Sequence, residues 1–110
     1  MSAELELADL IISSQSKQFI RVPVSSTNDP TGDAVSWAIV VPAVEPSLFF
    51  AGSWVTILDP ETSDPTYYAQ VLVGPGTGLT LSRGNYQMYV KIDDDPETPV
   101  LLAGILEVTY

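Results

Sequence analysis

A chain of 110 residues, 45 % of them hydrophobic, is long enough for one core and too apolar to stay disordered. Its formal charge of −10, fourteen carboxylates against Lys17, Arg21, Arg83 and Lys91, excludes nucleic acid and anionic membrane surfaces as partners, since both require clustered bases. Neither His nor Cys occurs, which excludes imidazole and thiolate metal sites, Ser-His-Asp and Cys-His nucleophiles, and any disulfide.

Residues 1–110 are expected to form a single domain. Nine prolines, seven glycines and abundant Val, Ile and Thr favour short strands joined by tight turns. Met1 to Ile12 lacks the basic start and apolar run of a signal peptide, and no stretch approaches the roughly 18–20 apolar residues that span a bilayer. A soluble protein acting in, or assembled from, the cytoplasm is the expectation.

The first element, Glu4 to Ile12, alternates Leu5 and Leu7 with Glu4 and Glu6, although a short helix after Ser2 also fits. Gln18 to Val24 places Ile20, Val22 and Val24 on one face and Arg21 and Pro23 on the other. An outward proline suggests an edge strand, because it cannot donate to a ladder. Ala34 to Val41 sets Val35, Trp37, Ile39 and Val41 against Ala34, Ser36, Ala38 and Val40. Trp54 to Leu58 is a strand by composition, apolar on both faces.

Tyr67 to Val73 alternates Tyr67, Ala69, Val71 and Val73 with Tyr68, Gln70 and Leu72. The glycine-rich Gly74 to Gly78 lacks the Lys-Ser/Thr ending of a phosphate loop and reads as a turn. Tyr86 to Ile92 is the clearest strand: Tyr86, Met88, Val90 and Ile92 alternate with Asn85, Gln87, Tyr89 and Lys91. Val100 to Thr109 is again apolar on both faces, with Gly104 marking a bulge that switches the inward face. Seven short strands at this spacing indicate an all-β sandwich or barrel.

Leu79-Thr-Leu-Ser-Arg-Gly-Asn-Tyr-Gln-Met-Tyr-Val90 narrows the class. It resembles the tyrosine corner at the start of the sixth strand of immunoglobulin-like sandwiches. The resemblance gives Leu81, Gly84 and Tyr86 the roles of leucine, small turn residue and tyrosine, with the Tyr86 hydroxyl bonding backbone a few residues upstream. Trp37 then falls where such domains carry their core tryptophan, and Met88 where antibody domains carry their second cysteine. The implied fold is an immunoglobulin-like Greek-key β-sandwich of about seven strands without a disulfide.

Three connections, 28–33, 59–66 and 93–98, collect at one end of such a sandwich. They hold Asp29, Asp33, Asp59, Glu61, Asp64, Asp93, Asp94, Asp95 and Glu97, nine of the fourteen acids. Calcium takes six to eight oxygen ligands, and Asp29, Asp33, Asp93 and Asp95 are the candidates to supply them. Asp- and Pro-rich turns are also ordinary hairpin material, and no spacing of a known calcium loop occurs, so no cofactor or metal is expected. Carboxylate catalysis would need a walled cleft holding two acids about 5–10 Å apart, for which the chain leaves little material. No enzymatic activity is expected.

Leu48, Phe49, Phe50 and Trp54 fall in a connection that should be surface, where a bulky apolar patch marks a partner-binding site. Closing the sandwich edge is their other use. Tyr68 and Tyr89 point outward, and with Trp54 they are the candidates for a carbohydrate or cell-surface binding face.

Several strings together extend the resemblance. Pro30-Thr-Gly-Asp-Ala-Val35, Tyr67-Tyr-Ala-Gln-Val-Leu-Val-Gly-Pro-Gly76, Gly84-Asn-Tyr-Gln-Met-Tyr-Val-Lys-Ile-Asp93, Pro96-Glu-Thr-Pro-Val100 and Ala103-Gly-Ile-Leu106 occur in an order similar to small virion structural proteins of tailed phages, notably those infecting actinobacteria. The resemblance implies a capsid decoration or minor head protein located in the virion, many copies binding the major capsid protein or another virion protein. A head–tail connector, tail or baseplate sandwich domain is the alternative within that class. A carbohydrate or cell-surface binding module is the alternative from another.

Overall fold

The computed structural model describes residues 3–5, 7–26, 29–93 and 97–109. Among the described residues nine strands form two sheets. In chain order they are β1 (Ala3–Leu5), β2 (Ala8–Ser13), β3 (Gln18–Ser26), β4 (Ala34–Val40), β5 (Phe50–Ala51), β6 (Ser53–Leu58), β7 (Pro65–Val73), β8 (Gly84–Asp93) and β9 (Val100–Thr109). One sheet has the order β1-β3-β7-β6, and the other β2-β9-β8-β4-β5.

Alternation decides which side chains meet between the sheets. Ile20, Val22 and Val24 of β3, Ala69, Val71 and Val73 of β7, Val35 and Trp37 of β4, and Met88, Val90 and Ile92 of β8 are all buried in one cluster. Trp37 and Met88 are among its largest fully buried side chains. The indole Nε1–H of Trp37 is buried and finds no hydrogen-bond partner among the described residues.

The expectations for the central strands hold, and the margins differ. The segment from Glu4 to Ile12 is not one strand. It pairs first with Val24–Ser26 of β3, antiparallel, and then crosses to run parallel to β9, with Ala8 opposite Gly104 and Ser13 opposite Thr109. The chain crosses likewise at the other margin. β5 pairs with Ser36 and Trp37 of β4, and one residue later β6 pairs with β7. Gly52 makes that crossing. A Cβ there would lie 2.6 Å from the Gln70 carbonyl and 2.8 Å from the Trp37 ring, so no other residue fits without displacement. Pro23 does not mark an edge strand, because β3 lies between β1 and β7. It sits just beyond the stretch paired with β1, where a missing N–H removes no bond to that strand.

Gly104 does form the bulge. Met88 pairs with Gly104 and Tyr89 with Leu102, leaving Ala103 extra. Leu101 and Ala103 face inward before the bulge and Leu106 and Val108 after it. The φ of +139° at Gly104 is open only to glycine at low cost.

Candidate functional site

The tyrosine corner is formed. The Tyr86 hydroxyl donates to the carbonyl oxygen of Ser82 at 2.7 Å, four residues upstream. Leu81 and Tyr86 pack against the core cluster, and Gly84 opens β8 with φ +152°. Strand order supplies the class. The four-stranded sheet β1-β3-β7-β6 faces a sheet in which β8 lies between β9 and β4, the arrangement of immunoglobulin domains, here with the first strand divided between the two sheets. This is an immunoglobulin-like β-sandwich without a disulfide.

The acidic connections act on their own turns. Asp29 accepts from the Thr31 N–H at 2.9 Å and the Thr31 hydroxyl at 2.6 Å, capping the 3-10 turn Pro30–Gly32. The Thr31 hydroxyl, then its N–H, holds the Asp29 carboxyl below the ordinary value of 3.8. Asp59 accepts from the backbone of Glu61 at 2.8 Å and of Thr62 at 3.3 Å, and Asp93 from the Thr98 hydroxyl at 3.4 Å. Among the described residues no three acids approach closely enough to hold a metal ion. Asp29, Asp33 and Asp93 are therefore not gathered into a ligand set, and Asp95 lies outside the described residues.

The four residues expected at a partner surface separate into two groups. Leu48 is exposed, and Phe49 is half-buried beneath Lys91, whose Nζ lies 4.3 Å from the ring centroid. Phe50 and Trp54 instead belong to strands and pack against the core. Register explains this correction: Phe50 lies opposite Trp37 and Trp54 opposite Ala69, both inward positions. The Trp54 indole N–H donates to the Asp33 carbonyl at 2.8 Å, tying β6 to the β3–β4 connection. Phe50 and Trp54 close the sandwich edge, the other use that their composition allowed.

A carbohydrate platform is not assembled either. Trp54 is turned inward, while Tyr68 stands on the outer face of one sheet and Tyr89 on the outer face of the other. Beside Tyr68 on that first face, the Arg21 guanidinium donates to Gln70 Oε1 at 3.1 Å, and the Gln70 amide donates to Ser53 Oγ at 3.1 Å. This row bonds three neighbouring strands to one another.

A cleft of about 350 Å³ lies between the β2–β3 turn, β5 and the 74–79 loop. It is lined by Lys17, Phe50, Ala51, Val71, Leu72, Gly76, Thr77, Gly78 and Leu79, with Lys17 the single charged side chain among the described residues there. The glycine-rich segment is the turn it was expected to be, held by Gly74 N–H to Leu79 O at 3.0 Å and the Thr77 hydroxyl to Gly74 O at 2.7 Å. One lysine among apolar walls supplies no acid–base pair.

No protein-family model matches the chain, and no curated protein matches it. Among solved structures the chain is similar to the BTLA ectodomain, at 12 % identity and TM-score 0.47, over 99 % of this chain and 98 % of that one. At that distance the likeness carries no argument, and the class assignment rests on the strand order and the corner. Among the described residues no helix is long and apolar enough to cross a membrane.

Proposed function

We propose that the protein is a non-enzymatic structural component of a tailed-phage virion, a decoration protein that binds the assembled capsid shell. One observation carries the binding role. Of the eleven large hydrophobic side chains that stand exposed among the described residues, Ile11, Val100, Leu102 and Ile105 share the outer face of the adjacent strands β2 and β9, and a contiguous apolar patch marks an interface. Among the described residues the cleft and the carboxylates offer no catalytic set to compete with that reading. The virion context comes from the resemblance of residues 20–108 to phage structural proteins. A decoration protein needs a self-supporting fold and a docking surface, and this sandwich closes its margins by strands that cross between the sheets.

Quantitative mass spectrometry of purified particles tests the reading. The chain is expected at a fixed ratio to the major capsid protein. Its absence from particles made in cells that express it overturns the assignment.

A further inference from the structure

We propose that the outer face of the β2–β9 pair docks a basic protein surface, one whose aliphatic side chains are interspersed with Lys or Arg. Four of the eleven exposed large hydrophobics lie there: Ile11 at 71 %, Val100 at 46 %, Leu102 at 41 % and Ile105 at 50 % exposure. Their common orientation follows from the ladder. Ala8, Leu10 and Ile12 pack on the core, so Asp9 and Ile11 point away from it. Val100 and Leu102 pair with the outward Lys91 and Tyr89, and the bulge at Gly104 turns Ile105 outward beside them. Without that bulge Ile105 would face the core.

The charges select the partner. In register Asp9 lies opposite Ile105, and Glu107 opposite Ile11, so two carboxylates alternate with aliphatic groups across adjacent strands. Glu107 has Asn85 as its other neighbour in register, and Lys91, a base on this sheet face, sits over Phe49. A second copy is a poor occupant: each chain carries −10, and two-fold packing would set this carboxylate-bearing face against the same face of an equally acidic chain. An anionic membrane is repelled for the same reason. A basic surface neutralises Asp9 and Glu107 while covering the aliphatic groups between them.

The inference rests on the reading of the protein as a binding component, and not on the identity of the particle. A random-peptide display library panned on the whole protein tests it. Enriched peptides are expected to combine aliphatic residues with Lys or Arg, and to lose about tenfold or more in affinity on Ile11→Ser or Ile105→Ser. Asp9→Asn with Glu107→Gln should weaken binding and flatten its salt dependence, while Leu48→Ser leaves it unchanged. Thermal melts establish that each variant is folded. No enrichment, acidic peptides, or binding indifferent to Ile11→Ser and Ile105→Ser overturns the proposal. A concentration-dependent dimer abolished by Ile105→Ser would overturn it in favour of a second copy. Peptides that map here, for a protein absent from particles, would sink the virion reading and leave the docking face standing.

Discussion

Replacing Gly104 by alanine should detach or unfold the domain at the β2–β9 seam. An added Cβ would collide with the Ala8 carbonyl oxygen and lie 2.7 Å from the Ala8 nitrogen, both backbone atoms of the parallel partner strand. Neither can yield without opening the ladder from Ala8–Gly104 to Ser13–Thr109. Holding an L-residue at φ +139° costs a further ~1–3 kcal/mol, and overpacking typically ~1–3 kcal/mol. Together they give a loss of about 2–6 kcal/mol, a large share of a small domain's stability. With a urea m-value of about 1.5 kcal/mol/M, the midpoint should fall by roughly 1–4 M. Trp37 and Trp54, one fully and one partly buried, report the transition by fluorescence. Amide exchange in Asp9–Ser13 distinguishes local release of β2 from global unfolding. A midpoint within about 0.3 M of wild type, with those amides still protected, would refute both the bulge and the parallel pairing.

Removing the corner hydroxyl by Tyr86→Phe should cost about 1 kcal/mol and lower the melting temperature by roughly 3–6 °C; an unchanged melt contradicts the corner. Trp54→Ala should cost about 3 kcal/mol through lost packing and an abandoned Asp33 carbonyl, whereas Leu48→Ala should stay within about 0.5 kcal/mol; equal urea midpoints would contradict their separation into core and surface. Melts in calcium and in chelator should coincide apart from screening. A site filled at 100 times its dissociation constant would add about 2.7 kcal/mol, and such a shift would restore the acidic loops as a metal site.

The features legible in the sequence are those fixed by local chemistry. Alternation in β8 identified Met88, Val90 and Ile92 as core, and the spacing of Leu81, Gly84 and Tyr86 identified a corner whose hydrogen bond is present. Gly104 was recognisable as a bulge because only a shift of register lets both Leu101 and Leu106 face the core of one strand. What escaped depends on long-range register. Phe50 and Trp54 read as surface because a two-residue strand and a one-residue crossing at Gly52 leave no periodic signal. The division of the first strand between sheets is equally silent, since Leu5, Leu7 and Leu10 fit one alternating strand as poorly as two. The exposed face of β2 and β9 did leave a trace: β9 is apolar on both sides, and a sandwich needs only one. Ala38 is a further case, fully buried on an outer face opposite Tyr89, which no period-two rule anticipates.

Titration of labelled, folded protein against purified phage shells that lack it tests the proposed assembly role most directly. Saturable binding is expected, with a plateau at a fixed ratio to the major capsid protein, weakened by Ile11→Ser and Ile105→Ser and by rising salt. Absent binding, or uptake that grows without a plateau, would contradict it.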